Sequence, residues 1–185
     1  MYVFFIILAL CILYPIFLYN KLVTLRQRVR EAWSTVETQL KRRYDLIPNL
    51  IEVVKGYAAH EKATLEAVIS ARSIAASTGG SPKEKAKAEN VLSGTLKNLF
   101  AVSERYPDLK ANDNFLELQR ELTDTENKIQ ASRQFYNTTV LSLNTKIEKF
   151  PSNIIAGAFH FQTEKFFEME STERKEASIA PKVKF

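Results

Sequence analysis

At 185 residues the chain is long enough for one domain, and its single cysteine, Cys11, excludes an intramolecular disulfide or a cysteine-based zinc site. Its 5 glycines form no G-x-G cluster, which excludes a nucleotide-binding α/β sheet and a β-sandwich. The formal net charge of +5 is unevenly distributed, because all 26 Lys and Arg residues follow an uncharged run over residues 1–20.

This uncharged run predicts a transmembrane helix. About 19 apolar residues at about 1.5 Å each give roughly 28 Å of helix, close to the ~30 Å thickness of the hydrocarbon core. Tyr2, Tyr14 and Tyr19 lie towards its ends, where tyrosine suits the headgroup region. A signal peptide would begin with Lys or Arg and end at a small-residue cleavage site, and neither is present. A lipoprotein signal at Cys11 is disfavoured by the bulky Leu10 before it. We therefore interpret residues 1–20 as an uncleaved anchor in lipid.

Basic residues predict the orientation of the anchor. None precedes it, whereas four follow it closely: Lys21, Arg26, Arg28 and Arg30. The positive-inside rule then places the N-terminus outside and the body in the cytoplasm. The same four side chains are expected to contact anionic lipid headgroups, at about 1 kcal/mol each. The later charges are mixed in sign and include no aromatic-basic reading motif, so no nucleic-acid binding is expected.

After the anchor, apolar residues recur every three or four positions and predict amphipathic helices. The first helix carries Leu22, Leu25, Val29, Ala32 and Val36 on one face. A second periodic stretch begins near Ile47 and runs to about Ser77, where a Gly79–Gly80 pair stops it. Ser81 and Pro82 form an N-cap and first helical residue for a third helix, which ends near Tyr106–Pro107.

The fourth predicted helix has the most regular pattern, after cap candidates at residues 112–114. Apolar residues recur every seven positions: Phe115, Leu122, Ile129, Tyr136, Leu143 and Phe150. A companion row has mostly small hydroxyl side chains: Leu118, Thr125, Ser132 and Thr139. Such side chains bond to their own backbone and allow a neighbouring helix to approach closely. Pro151 ends this helix, residues 153–167 predict a short capping helix, and residues 168–185 predict an extended, charged tail.

The segment from Asp45 to Asn49 decides the topology. If the chain reverses there, the body is an antiparallel up-and-down four-helix bundle; if Pro48 only kinks a continuous helix, it is a three-helix assembly with one very long member. We favour reversal, because Asp-x-x-Pro can cap a new helix and four helices bury the apolar stripes better. The prediction is an all-α protein: a transmembrane anchor (1–20), a helical bundle (21–167) and a tail (168–185).

No catalytic constellation is found in the sequence. The residue three before His60 is Tyr57 and the residue three before His160 is Gly157, so neither histidine belongs to the Glu-x-x-His iron motif of helical bundles. His60-Glu61 begins like a zincin helix, but Thr64 stands where a second histidine is required. We predict a non-enzymatic protein without metal or cofactor. A hydrolase or metal enzyme that uses carboxylates alone is the remaining enzymatic alternative.

Several motifs then resemble those of one family. They are VREAWS at 29–34, QLKRR at 39–43, DLIPNL at 45–50, HE at 60–61, YPDLKA at 106–111, ENKI at 126–129, YN at 136–137 and FP at 150–151. With them the sequence resembles the LemA family of bacterial membrane proteins over almost the whole chain. The resemblance implies an N-terminally anchored inner-membrane protein with a helical-bundle body and no established enzymatic activity. Lys184 stands where the family's terminal motif more usually has an acidic residue.

The leading functional hypothesis is a membrane-anchored scaffold that binds protein partners or its own copies. The candidate interaction residues are Trp33, Arg42, Arg43, Asp45, Pro48, Asn49, Lys55, His60 and Glu61. The alternative for residues 45–49 is a buried, capped turn, and Trp33 is more typical of a core position. An accessory role in membrane-protein quality control or envelope stress is the alternative function.

Overall fold

The computed structural model describes residues 1–167, apart from the side chains of residues 7–9 and 11. The predicted tail at 168–185 lies outside the described residues. Within residues 1–167 the regular structure is helical, which confirms the all-α prediction. The helices are α1 (Tyr2–Tyr57), α2 (Lys62–Ser77), α3 (Pro82–Ser103), α4 (Pro107–Lys110), α5 (Asp113–Glu148) and α6 (Ser152–Ala158).

Within the described residues, none of the helices is both long and apolar enough to cross a membrane.

The chain forms two compact units. Unit 1 contains Met1–Thr38 and Gln130–Phe166, and unit 2 consists mainly of Gln39–Ile129. Both are stabilised by apolar rows on their helices. In unit 1, α1 buries Leu22 and Val36. In unit 2, α3 buries Leu92 and Leu99.

The predicted reversal at Asp45–Asn49 is wrong, because α1 continues through Pro48 to Tyr57. Proline has no N–H, so Pro48 leaves the carbonyl of Tyr44, four residues earlier, without its helical donor. Arg72 on α2 supplies the missing donor, since its Nε lies 2.7 Å from the Tyr44 carbonyl oxygen. The chain turns instead between α1 and α2, and the periodic stretch from Ile47 to Ser77 is two helices rather than one.

The predicted starts of α3 and α5 are confirmed, whereas α3 ends at Ser103, slightly before the predicted Tyr106–Pro107. Ser81 caps α3 in a capping box: its hydroxyl accepts from the N–H of Glu84, and the Glu84 carboxylate accepts from the N–H of Ser81. Gly80, before it, has a φ of 99°, a value that favours glycine. Asn112 caps α5, because its side-chain oxygen accepts from the N–H of Phe115 at 3.0 Å.

The heptad row of α5 is buried over its first five positions, from Phe115 to Leu143. Phe150, its predicted sixth member, lies beyond the end of α5 and is 74% exposed. The companion row is also buried at Thr125, Ser132 and Thr139. The hydroxyls of Thr125 and Thr139 donate to the carbonyls of Glu121 and Phe135 at 2.7 and 2.8 Å, as back-bonding predicts.

After α5 the chain folds back in unit 1. α6 is shorter than predicted and ends in a Schellman motif, in which Phe161 N–H donates to the Ala156 carbonyl at 2.9 Å and His160 N–H to the Gly157 carbonyl at 3.2 Å. Residues 161–166, here called the strap, then follow α5 without regular secondary structure. Three side-chain bonds fix the strap to α5: Tyr136 Oη to Lys165 O, Asn144 Nδ2 to Glu164 O and Glu164 N to Asn144 Oδ1, each 2.9 Å.

Candidate functional site

Unit 2 contains a buried ion cluster centred on Arg43 of α1. Arg43 is 1% exposed, and its guanidinium donates to Glu89 on α3 and to Glu126 on α5. It also donates to the hydroxyl of Ser93 at 3.0 Å. Because an arginine keeps its charge at every physiological pH, the two carboxylates share a permanent cation.

Tyr44 completes the cluster by donating its hydroxyl to Glu89. Burial raises the pKa of Tyr44 well above its usual range, and the hydrogen bond to Glu89 raises it further. Tyr44 therefore stays a neutral donor at any physiological pH. Its backbone carbonyl is the one that receives Arg72, so a single stretch of α1 is bonded to α2, α3 and α5.

The chemistry of this cluster is structural rather than catalytic. The Glu89 side chain is 2% exposed, so no substrate reaches it, and Arg43 and Tyr44 already occupy its oxygens. A carboxylate paired in this way is poorly suited to act as a base. Breaking a buried ion pair leaves an uncompensated charge, so the loss of any one of these charges should strongly destabilise unit 2.

Sequence reasoning named Arg43 but missed Glu89, Tyr44, Glu126 and Arg72. A signal was present, because Arg43 interrupts the apolar row of α1 between Leu40 and Ile47. Glu89 interrupts the row of α3 in the same way, between Ala86 and Leu92. Two opposite charges in two buried rows indicate a pair across the core, since charged residues are almost never fully buried alone.

The other interaction residues predicted between Arg42 and Lys55 lie at the surface. Arg42, Asp45, Pro48, Asn49 and Lys55 are all exposed. The guanidinium of Arg42 lies 4.0 Å from the carboxylate of Asp124 on α5. Asp124 also accepts from Lys128 at 2.7 Å, and this bond holds the pKa of Asp124 below its usual range. Of the interaction residues predicted between Arg42 and Lys55, Arg43 alone is therefore buried.

His60 and Glu61 lie in the turn between α1 and α2, where the sequence placed the middle of a helix. His60 is exposed. Glu61 accepts from the hydroxyl of Tyr106 at 2.9 Å and from Arg105 at 3.0 Å, and the bond to Glu61 raises the pKa of Tyr106. This carboxylate thus ties the α1–α2 turn to the α3–α4 turn.

Trp33 belongs to unit 1, where it is half-buried and its ring centroid lies 5.3 Å from that of Tyr136. Tyr136 is 2% exposed, and burial followed by the nearby charge of Glu164 raises its pKa to about 12. Tilted aromatic pairs at this distance are favourable. Trp33 therefore packs on the same tyrosine that holds the strap.

The four basic residues after residue 20 differ in their surroundings. Lys21, Arg28 and Arg30 are exposed. Arg26 is half-buried, and its guanidinium carbon lies 5.0 Å from the centre of the Phe161 ring, within the range of a cation–π contact.

Among the histidine, cysteine and acidic side chains of the described residues, no group of three or more is placed to hold a metal ion.

The sequence also matches known proteins. Residues 32–185 match the model of the LemA family. The chain is 28% identical over 178 residues to the Protein LemA of Metamycoplasma hominis, covering 94% of this chain and 80% of that protein. It is 24% identical over 174 residues to the magnetosome protein MamQ of Magnetospirillum gryphiswaldense, and 23% identical over 175 residues to MamQ 2 of Paramagnetospirillum magneticum. These two matches cover 80% and 81% of this chain but only 64% of each magnetosome protein.

Proposed function

The chain belongs to the LemA family, and from that premise we propose that it is a non-enzymatic protein anchored in the bacterial inner membrane, with a helical body that acts as a scaffold for protein partners or for its own copies.

The observation that carries the anchor is the exposed apolar surface at the start of α1. Phe4, Leu10 and Phe17 are 67%, 61% and 63% exposed, and residues 1–20 contain no charge. An exposed apolar surface of this kind is unfavourable in water, by about 25 cal/mol per Å². Lipid offers it an environment of matching polarity, and a single-pass helix satisfies its own backbone.

We place the N-terminus outside and the body in the cytoplasm. The exposed side chains of Lys21, Arg28 and Arg30 support this orientation, because basic residues beside a membrane helix favour the cytoplasmic side. Protease added to intact cells is expected to leave the body uncut. Digestion of the body from outside would contradict the orientation, provided that a cytoplasmic marker in the same cells survives.

For the body we propose an antiparallel four-helix bundle in unit 2, made of α2, α3 and the parts of α1 and α5 that belong to the unit. The support is the set of bonds from Arg43 to α3 and α5 and from Arg72 to α1. The short connections between α1 and α2 and between α2 and α3 favour antiparallel neighbours. The ion cluster at the centre of this bundle is a reason to propose a scaffold rather than a carboxylate-based hydrolase.

The proposed partner surface is the interaction face of α1, which we define as Arg42, Asp45, Asn49, Glu52 and Lys55. Its members are exposed and recur at helical spacing. Its two basic and two acidic side chains give it charge of mixed sign, which favours a partner with a complementary mixed face over a strongly charged one.

A photo-crosslinking amino acid at Asn49 tests this surface in intact membranes. We expect recurrent products with one partner or with a second copy, and we expect Asp45→Arg to reduce their yield by reversing one charge on the face. The matched control carries the same crosslinker at Lys97, an exposed position on α3. Identical products from both positions, or no effect of Asp45→Arg, would overturn the proposed face.

A further inference from the structure

A second exposed apolar surface surrounds α6 in unit 1. Residues 150–163 carry no charged side chain, the longest such run after residue 20. Within it Phe150, Ile154 and Phe159 are 74%, 60% and 58% exposed. An aromatic and aliphatic surface of this kind marks an interaction site rather than a random exposed residue.

The position of this surface along α1 indicates what it contacts. The ring centroid of Phe159 lies 4.7 Å from that of Tyr19, and Phe161 lies 5.9 Å from the same ring. Tyr19 lies at the end of the uncharged run, and Arg26, the other contact of Phe161, is about 10 Å further along a helix that rises 1.5 Å per residue. The apolar surface is therefore level with the point where α1 changes from apolar to charged sequence.

The surface is presented by a fixed scaffold. The other side of α6 is buried through Ser152 and Ala156, and the hydroxyl of Ser152 lies 2.6 Å from the Lys146 carbonyl oxygen. At the other end, the Schellman motif and the bonds of Asn144 to Glu164 fix the chain. The exposed side chains thus need little ordering before they bind.

Charged residues border the run on both sides. Lys146, Glu148 and Lys149 precede it, and Glu164 and Lys165 follow it. Long basic side chains at the edge of an apolar surface can extend their charge towards the headgroups while their methylene groups stay in the apolar zone.

We propose that α6 and its flanking residues Phe150 and Phe159, here called the α6 wedge, are a second membrane contact that lies in the boundary between lipid headgroups and acyl chains beside α1. This rests on the proposed anchor, because the depth of the wedge in the membrane is inferred from its contact with Tyr19 at the end of the anchor. A short apolar segment in this boundary lies in the membrane plane instead of spanning it. The body would then be held at two points rather than swing from one helix.

Spin labelling of the full chain tests the wedge. The protein is reconstituted in vesicles of phosphatidylethanolamine and phosphatidylglycerol, with Cys11→Ala as background and one nitroxide-labelled cysteine at a time. Ile154→Cys reports the wedge, and Ile12→Cys, 56% exposed at its native isoleucine, reports the anchor. Phe135→Cys is the matched control, since Phe135 is 57% exposed in the same unit and lies about 20 Å along α5 from Glu148.

We expect oxygen, which concentrates in lipid, to collide with the Ile154→Cys and Ile12→Cys labels more often than a water-soluble nickel chelate does. The Phe135→Cys label should show the reverse order. If Ile154→Cys behaves like Phe135→Cys while Ile12→Cys is in lipid, the wedge is overturned and the anchor stands. If Ile12→Cys is also in water, the anchor itself fails. A label at Ile154→Cys that is immobile and shielded from both reagents would indicate a protein contact and overturn the lipid proposal.

Discussion

Unit 1 and unit 2 both use parts of α1 and α5, but different chemistry holds each of them together. Unit 2 is bonded through the ion cluster of Arg43, Glu89 and Glu126. The contacts of unit 1 described above include aromatic pairs, such as Trp33 with Tyr136, the cation–π contact of Arg26 with Phe161, and hydrogen bonds from side chains to the backbone of the strap.

The difference shows how the sequence determines the register of the helices in each unit. Burying charges is costly unless each finds its partner, so the ion cluster penalises any helix register in which Arg43 and Glu89 do not meet. Aromatic and aliphatic contacts lose less when a helix shifts, because they are less directional. Unit 1 instead relies on the small buried side chains of Ser132 and Thr139 and on the strap to disfavour other helix registers.

The largest expected effect is on the ion cluster. Arg43→Met should lower the free energy of unfolding by about 3–5 kcal/mol, because it leaves Glu89 buried without a cation. Arg42→Met is the matched control. The Arg42 side chain is 45% exposed and its ion pair with Asp124 is long, at 4.0 Å, so we expect a loss of about 0–1 kcal/mol in the free energy of unfolding. Urea unfolding of the detergent-solubilised chain measures both.

The double variant Arg43→Met with Glu89→Leu separates the cost of a lone charge from the loss of packing. It should recover most of the stability that Arg43→Met loses, since the two buried charges are then absent and the remaining Glu126 side chain is 34% exposed. If the two single variants at Arg43 and Arg42 lose equal stability, the cluster is not what distinguishes unit 2.

A smaller effect is expected in the packed row of unit 1. Thr139 is 8% exposed, and Thr139→Leu should cost about 1–3 kcal/mol because the added volume pushes a neighbouring helix away. Thr138→Leu is the control, since Thr138 makes the same kind of back-bond at 2.9 Å but is exposed. Equal stabilities of the two variants in urea would mean that Thr139 is not closely packed.

Alkaline pH should weaken both units through one tyrosine each. The folded pKa of Tyr136 is raised from 10.0 to about 12, and that of Tyr44 is raised as well. The unfolded chain therefore loses these protons first, so the stabilisation is complete below pH 10 and is lost as the pH rises towards 12. The slope is at most about 1.4 kcal/mol per pH unit for each group.

Unfolding followed between pH 9 and 12, for the parent chain and for Tyr136→Phe, checks this. In Tyr136→Phe the free energy of unfolding should fall less steeply as the pH rises, because only the contribution of Tyr44 remains. An unchanged pH dependence in Tyr136→Phe would contradict the raised pKa of Tyr136.

Local chemistry explains which parts of the fold were predictable. The boundaries at Ser81 and Asn112 follow from capping within a few residues, and the buried heptads of α5 follow from spacing. The path through Pro48 was mispredicted because its compensating donor, Arg72, is 28 positions from Tyr44 in the chain. The ion cluster was only partly predictable for the same reason. Arg43 and Glu89 are 46 positions apart, and the residues next to each of them do not identify the other as its partner.

The smallest expected effect concerns the turn that leads into the strap. His160 has a φ of 54°, a left-handed value that costs a residue with a β-carbon about 1–2 kcal/mol. His160→Gly removes this strain but gives the unfolded chain more freedom, so we expect a net gain of about 0.5–1 kcal/mol. His60→Gly is the matched control: His60 is exposed like His160 but does not have a positive φ, so the same exchange should lower stability. A loss of stability in both variants would show that the His160 turn is not strained in the folded chain.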